Sequence, residues 1–547
     1  MQMVKRVFSR HLLTYPRSTL VLSLTAMDWT QRYTTWVATL VLLASVHSAT
    51  DIVEFLVEDG PLQNVIYLSI DGGVVVVGGR NALYKLSPDL DLEAKQSTGP
   101  RPDNPQCTPD PLECAQGRTL TDNDNQVLLQ LGPAHPLVLA CGTIWQGICS
   151  FHHVRRNLTL SKTMDKKLYV NYVASRISTV AFFLGPVLFA ASTYDGRPLD
   201  YHPFSVSARD LNSNGSFKLH SSEDSSASFI NVDRTLKKSY KVRYVYGTSH
   251  GEFAYFVTVQ NAGLALELFE TRIVRVCWDD PTFLTYTELP VRCGSGESRY
   301  PIAQAASAGP ESQGGDRLLL VAFGKPSGGR MQENDPSAGS AVCSFRMHDV
   351  EEAFRKAVDD CNAAKPTSKV SHLFHEPGTP QDCTRYDPVD KDDLCVPGVN
   401  NYIEGKTSLP GTRVVHLQDR LVTSVTALRQ NMSDVAWIGD NKGFLHKYKL
   451  EGSASTLLYS TDLSGGIGTA IEKSTAVDPK GTSAYFLTGK KVSPTKGPSS
   501  GGTLLTLEGD NFGSPAHKPD SSIQITVGNK PCTLVHWNYT LSVALFI

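Results

Sequence analysis

Cysteines are the residues of this chain whose type and spacing most clearly carry chemistry. The 547-residue sequence contains 11 of them, and no pair has the C-x-x-C spacing of common zinc and redox sites. In an oxidising compartment, ten of them could form five disulfides and leave one cysteine over. They are Cys107, Cys114, Cys141, Cys149, Cys277, Cys293, Cys343, Cys361, Cys383, Cys395 and Cys532.

Four N-x-S/T sequons indicate the same compartment. Behind a secretory signal, such sequons are expected on surface loops that carry glycan. They begin at Asn157, Asn214, Asn431 and Asn538.

A secretory signal peptide is predicted to begin at Met27. An apolar run at 36–45 is followed by small residues, so we expect cleavage near Ser48 or Ala49. Residues 1–26 precede this signal and have no predicted structural role. No later stretch has the roughly 20 apolar residues that a membrane-spanning helix needs. The chain is therefore expected to be secreted, or to lie on the extracellular side of the plasma membrane through segments that it does not contain.

Enzymatic, cofactor and nucleic-acid functions find no support in the sequence. The formal net charge is -2 and 19% of residues are charged, a balance unlike that of nucleic-acid binders. There is no G-x-S-x-G nucleophile elbow, and Pro377 interrupts the His375-Glu376 start of a zinc-binding helix. We predict that the chain is not an enzyme and holds no cofactor or metal.

A recurrent apolar strand is the element that would position the cysteines and the sequons. Each copy is a near-continuous apolar run, and most end in small or turn-forming residues. Such a strand must be covered on both faces, and a radial array of four-stranded sheets covers it while leaving only short edges. The sequence therefore predicts an all-β, seven-bladed β-propeller, the alternative being unrelated strands of sandwich domains. The seven copies are 74–79, 137–142, 187–192, 253–258, 318–324, 435–439 and 484–489.

The segment 341–354, AVCSFRMHDVEEAF, interrupts this repeat with a helical pattern. Asp349 is expected to cap the helix, and Val350, Phe354 and Val358 fall on one apolar face. This text resembles the segment that semaphorins, plexins and the hepatocyte growth factor receptor group share within their seven-bladed sema domain.

The cysteine-bearing segments narrow the resemblance to plexins. The texts NPQCTP at 104–109, TDNDNQVLL at 121–129 and CGTIWQGIC at 141–149 are similar to the plexin sema domain. The resemblance spans 51–492 and implies five disulfides, the last three joining the inserted helical segment to the propeller. They are Cys107–Cys114, Cys141–Cys149, Cys277–Cys395, Cys293–Cys343 and Cys361–Cys383.

Residues 493–547 resemble the start of an IPT domain, a partial immunoglobulin-like β-sandwich. Its Gly-Pro and Gly-Gly pairs indicate turns, and 504–508 alternates as a strand. Plexins place a cysteine-rich PSI module before this domain, whereas here no cysteine lies between Cys395 and Cys532. The chain is therefore expected to be a truncated fragment or isoform, and the odd Cys532 is expected to support some covalent homodimer.

The resemblance implies a receptor ectodomain that binds semaphorins in axon guidance and cell migration. The alternatives are an ectodomain of the hepatocyte growth factor receptor group, a semaphorin itself, or a soluble decoy isoform. In plexins the ligand contacts one edge of the propeller around blades 3 and 4, which corresponds here to loops 194–210 and 233–241. The candidate contact residues are Asp195, Arg197, Arg209, Arg234, Lys237 and Lys238.

Overall fold

The computed structural model describes residues 2–8, 52–57 and most of 60–489, together with backbone strands between 492 and 546. Within 60–489 it leaves out 111, 115–116, 133–134, 214, 221–227, 263–267, 295–299, 313, 328–329, 375–379, 391–392, 431 and 465–467. Several predicted features lie outside the described residues, namely the signal peptide at 27–49, His375, Glu376, Asn214, Asn431, Asn538 and Cys532.

The described residues fold mainly into short antiparallel strands, as apolar runs separated by turn-forming residues predict. The chain begins with β1 (Gln2–Phe8) and β2 (Ile52–Val57), and blade 1 follows as β3 (Leu62–Leu68), β4 (Val74–Gly79), β5 (Ala82–Leu86) and β6 (Leu92–Ser97). A hairpin of β7 (Arg101–Asp103) and β8 (Thr119–Thr121) precedes blade 2, which comprises β9 (Asn125–Gln130), β10 (Leu137–Gly142), β11 (Cys149–His153) and β12 (Thr159–Thr163).

The next two blades repeat the same up-and-down order. Blade 3 comprises β13 (Thr179–Leu184), β14 (Val187–Ser192), β15 (Val206–Leu211) and β16 (Phe217–Leu219), with β17 (Phe229–Ile230) also paired to β15. Blade 4 comprises β18 (Val242–His250), β19 (Phe253–Asn261), β20 (Phe269–Cys277) and β21 (Thr287–Cys293).

Blade 5 carries the insertion between its third and fourth strands. It comprises β22 (Ile302–Ala308), β23 (Leu318–Gly324), the side hairpin β24 (Pro326–Ser327) and β25 (Arg330–Asn334), β26 (Ser340–Arg346), the inserted α1 (Met347–Asn362), β27 (Ser368–Val370) and β28 (Ile403–Gly405), and finally β29 (Leu409–Leu417). Blade 6 comprises β30 (Val422–Gln430), β31 (Ser433–Asp440), β32 (Phe444–Glu451) and β33 (Ala454–Asp462).

Blade 7 closes the propeller by pairing the first two described strands of the chain with the last two strands of the propeller sequence. Its strand order is β34 (Ile471–Val477), β35 (Ser483–Gly489), β1 and β2. The innermost strands contact one another in a closed ring, in the order β3, β9, β13, β18, β22, β30, β34 and back to β3. The predicted seven-bladed architecture is confirmed.

The seven apolar segments predicted from the sequence are the second strands of the seven blades, β4, β10, β14, β19, β23, β31 and β35. In β4, Val75 and Val77 pack into a cluster with residues of blade 7. Val74 and Val76, on the opposite face, pack against residues of blade 2. A strand covered on both faces needs apolar side chains at every position, which explains the continuous runs.

The inserted helix α1 begins earlier than the sequence predicts. Arg346 is its N-cap and makes no side-chain capping bond, while Asp349 lies in the first turn. The prediction that Asp349 caps the helix was therefore wrong. Of the predicted apolar face, Val350 and Phe354 are fully buried, whereas Val358 is only half-buried.

All five disulfides implied by the resemblance are formed, with Cα–Cα distances of 3.9–6.2 Å. The expectation that three of them fasten the insertion to the propeller was correct for only one bond. Cys277–Cys395 does so, whereas Cys361–Cys383 lies within the insertion. Cys293–Cys343 joins β21 to β26 and so connects blades 4 and 5 directly.

The C-terminal strands form a small separate sheet. Strands β36 (Val492–Ser493), β37 (Leu504–Glu508), β41 (Ser542–Phe546) and β40 (Thr533–Trp537) pair in that order, and β38 (Thr526–Val527) pairs with β39 (Lys530–Pro531). The strand predicted at 504–508 is present as β37.

Candidate ligand-binding surface

The two loops predicted to contact a ligand lie side by side in the folded chain. The guanidinium of Arg234 donates to the carboxylate of Asp200 over 2.9 Å. The backbone N–H of Ser205 donates to Asn231 Oδ1 over 3.0 Å, and the Val232 N–H donates to Ser205 Oγ over 3.2 Å. The β14–β15 loop of blade 3 and the connection from blade 3 to blade 4 therefore form one continuous surface.

Asp195 and Arg197 form an internal ion pair within this surface. Their nearest charged atoms are 2.5 Å apart, and the two side chains are only 1% and 2% exposed. Arg197 also donates to Gln146 Oε1 over 3.2 Å. Burial alone would raise the pKa of Asp195, but the Arg197 guanidinium holds it below its ordinary value. These two side chains stabilise the loop and are not available to a partner.

Arg209 is likewise an internal residue. It donates to the carbonyl oxygens of Val170 and Tyr172 over 3.0 and 3.1 Å, and its guanidinium lies 5.6 Å from the ring centroid of Phe204. Burial lowers the pKa of Arg209. Its role is to hold the segment before blade 3 against β15.

Lys237 is also buried, unlike the adjacent Lys238. Its ammonium donates to Asn231 Oδ1 over 3.2 Å, and burial lowers its pKa to about 8. Lys238, the next residue, is exposed. Of the six predicted contact residues, the structure thus leaves only Arg234 and Lys238 open to a partner.

Two further charged residues at this surface were not singled out from the sequence. Asp200 is 72% exposed and pairs with Arg234, which is also 72% exposed. Lys241 is exposed and donates to the Lys238 carbonyl oxygen over 2.8 Å. No sequence signal identifies these two, because spacing along the chain does not show which loops meet. We call Asp200, Arg234, Lys238 and Lys241 the Arg234 patch.

Asn157 is the one sequon asparagine among the described residues. It is exposed and lies in the left-handed backbone region at the end of a short 3-10 helix. This geometry suits the predicted attachment of a glycan, which stays a prediction.

Among the described residues, no group of three or more His, Cys, Asp and Glu side chains has the arrangement of a metal site. Across the same residues, no helix combines the length and apolar character required to span a membrane.

Comparison with known proteins identifies two domain families in the chain. The Sema domain family matches residues 303–465, and the IPT/TIG domain family matches residues 488–544. The two matches follow one another in the order expected from the sequence.

Similar proteins include Plexin-A2 of Homo sapiens, 30% identical over 416 residues, which cover 70% of this chain and 21% of that protein. Plexin-A4 of Danio rerio is 28% identical over 439 residues, which cover 72% of this chain and 22% of that protein. The chain thus spans about a fifth of the length of these curated relatives.

Solved structures show the same fold. The full extracellular region of Plexin A4 superposes with a TM-score of 0.68 at 19% identity, covering 89% of this chain and 48% of that one. A chain of the complex of Drosophila Plexin A with Semaphorin 1b superposes with a TM-score of 0.50 at 15% identity, covering 78% of this chain and 84% of that one. The disulfides and the domain matches indicate a secreted or extracellular-side location. With its sema propeller, its IPT/TIG segment and these relatives, the chain belongs to the plexin family.

Proposed function

We propose that this chain is the ligand-binding extracellular region of a plexin-type receptor, and that its propeller binds a semaphorin in axon guidance and cell migration. The observation that carries the proposal is the plexin similarity over 70% of the chain. The complex of Drosophila Plexin A with Semaphorin 1b gives this proposal its ligand class. A rigid propeller suits the role, because its loops can vary in chemistry without disturbing the core.

The Arg234 patch is the proposed contact surface. It combines three basic side chains with one acidic side chain, in the β14–β15 loop of blade 3 and the connection from blade 3 to blade 4. Exposed charges of this kind favour electrostatic steering and form the polar rim of an interface. The patch therefore fits a ligand whose facing surface carries an excess of acidic residues.

The test is surface plasmon resonance of the purified chain over a panel of immobilised semaphorins. We expect saturable binding to at least one semaphorin. The double variant Arg234→Glu with Lys238→Glu should weaken that binding at least about tenfold, because it places like charges opposite the ligand's acidic surface. Hepatocyte growth factor belongs in the same panel, since binding to it alone would favour the related receptor group.

The matched control is Lys442→Glu with Lys449→Glu, which makes the same charge change on blade 6. Both lysines there form ion pairs with partly exposed side chains, Lys442 with Asp419 and Lys449 with Glu451. This control should bind like the unmodified chain. An unchanged dissociation constant in the Arg234/Lys238 variant would place the interface elsewhere, and no binding to any semaphorin would refute the function.

A further inference from the structure

The third strand of blade 7 is supplied in a different way from that of the other blades. In blades 1–4 and 6, the third strand is the next strand along the chain after the second, and in blade 5 only a short side hairpin intervenes. After β35 the chain instead continues to β36, which pairs with β37 in the C-terminal sheet. The outer edge of β35 is therefore free to pair with another strand, and β1 occupies it.

The backbone of β1 is paired along both of its edges. On one side it is antiparallel to β35, from Gln2 opposite Gly489 to Phe8 opposite Ser483. On the other side it is antiparallel to β2. Among the described residues, β2 pairs with no strand other than β1. Without β1, both β35 and β2 would expose unpaired backbone N–H and C=O groups, which favour the addition of a strand.

The first half of β1 supplies apolar contacts. Met3 and Val4 are fully buried. Val4 joins a cluster with Tyr485 and Leu487 of β35 and with residues of β2 and blade 1. A polar side chain at Val4 would have no partner within this cluster.

The second half of β1 supplies two basic side chains whose partners lie around the strand. Lys5 pairs with Glu54 of β2 over 3.0 Å. Arg6 donates to Ser483 Oγ through Nε and Nη2 over 3.2 and 3.1 Å, and its guanidinium pairs with Asp89 of blade 1. The surroundings of β1 thus fit a strand in which two apolar residues are followed by two basic residues.

We propose that the edge of β35 is a strand-acceptor site, which binds an extended peptide with two apolar residues followed by two basic residues. The segment Gln2–Phe8 occupies it here as a ligand joined to the propeller by its own chain. Cleavage near Ser48 or Ala49 would separate that segment and present the site to a peptide of the same chemistry. Backbone pairing supplies affinity, and the Val4, Lys5 and Arg6 positions supply specificity.

The test uses the full chain with a tobacco etch virus protease site inserted after Ala26, produced in a bacterial cytosol that supports disulfide formation. After cleavage, native mass spectrometry reports whether the N-terminal fragment stays bound. Fluorescence anisotropy with a labelled synthetic peptide of residues 1–10 reports exchange. We expect one peptide per chain and competition by the unlabelled peptide. A peptide carrying Val4→Asp should bind at least about tenfold more weakly, and a scrambled peptide should not compete.

Release of the fragment from a propeller that stays folded by circular dichroism, without rebinding of the labelled peptide, would overturn the proposal. If the cleaved chain unfolds, the proposal is tested instead on the uncut chain, with charge-reversal variants of the Lys5–Glu54 pair. Lys5→Glu and Glu54→Lys should each lower Tm, and the double variant should recover part of the loss, because the exchanged charges again face each other. An additive loss in the double variant would show that β1 does not occupy this register.

Discussion

Arg272 of β20 donates to the carboxylate of Glu288 of β21 over 2.7 Å, and the two side chains are 4% and 0% exposed. The same guanidinium pairs with Glu270 over 2.7 Å and with Glu404 of the inserted β28 over 3.0 Å. Burial alone would lower the pKa of Arg272, but these carboxylates raise it well above its ordinary value. One cation therefore connects blade 4 to the insertion.

Replacing Arg272 with methionine should lower the free energy of unfolding by about 3 kcal/mol or more, because it leaves Glu288 buried without its counter-ion. Urea denaturation followed by circular dichroism measures the change. The matched control is Arg234→Met, which removes an arginine from an ion pair whose two side chains are both 72% exposed and should change stability little. Equal effects of the two variants would contradict the assigned role of Arg272.

Charge reversal should destabilise the protein at Arg197 but not at Arg234. Arg197→Glu places a second carboxylate against Asp195 in a pair that is only 2% and 1% exposed, so a loss of about 3 kcal/mol or more is expected. Arg234→Glu should leave the fold intact because the side chain lies in solvent. Thermal unfolding of both variants is the measurement, and a stable Arg197→Glu protein would show that this arginine is not a structural residue.

Gly78 should not tolerate a side chain, because β4 lies closely against the start of blade 2. A Cβ at Gly78 would lie 2.5 Å from Cγ and 3.0 Å from Cβ of Asn125. Asn125 is held in place by Asn64, which donates to its Oδ1 over 2.8 Å. Gly78→Ala should therefore cost about 1–3 kcal/mol.

The control for Gly78 is Gly132→Ala, since nothing lies within 4 Å of a Cβ built at Gly132. Chemical denaturation of both variants compares them directly. Adding Asn125→Ala to Gly78→Ala should recover part of the loss by removing the overlapping amide. If Gly132→Ala were the more damaging change, the close approach at Gly78 would not limit stability.

His152 should contribute to the acid sensitivity of the propeller. Its Nδ1–H donates to the Leu158 carbonyl oxygen over 3.1 Å, and its Nε2 accepts from Ser150 Oγ over 2.9 Å. Burial disfavours the imidazolium and lowers the pKa of His152 below its ordinary value of 6.5. As the pH falls below 6.5, the unfolded chain binds a proton that the folded chain does not, so stability is lost.

His152→Gln should therefore show a smaller drop in Tm between pH 7.5 and about pH 5.5 than the unmodified chain. His348→Gln, at a histidine whose side chain is 76% exposed, should keep the full drop. Differential scanning calorimetry at the two pH values measures both. A full drop in the His152 variant would assign the acid sensitivity to other groups.

The cysteine pairs came from the family resemblance, because spacing alone cannot choose among the possible pairings. The sequence by itself determined the seven second strands and most of the apolar face of α1. These features are local, because a strand buried on both faces must be apolar at each position, and a helix face repeats at a fixed interval. The start of α1 was less predictable. Two alternatives for a helix N-terminus only two or three residues apart differ little in local energy.

Only the tertiary structure decided which charged side chains of the predicted surface are open to a partner. Arg209 is held inside by donating to the carbonyl oxygens of Val170 and Tyr172, which are remote in sequence. Lys237 is buried and Lys238 is exposed, although the two residues are adjacent. The place of Gln2–Phe8 likewise depends on pairing with β35, a strand that lies hundreds of residues further along the chain. Burial and strand pairing of this kind arise from long-range contacts, which cannot be inferred from residue type or from spacing along the chain.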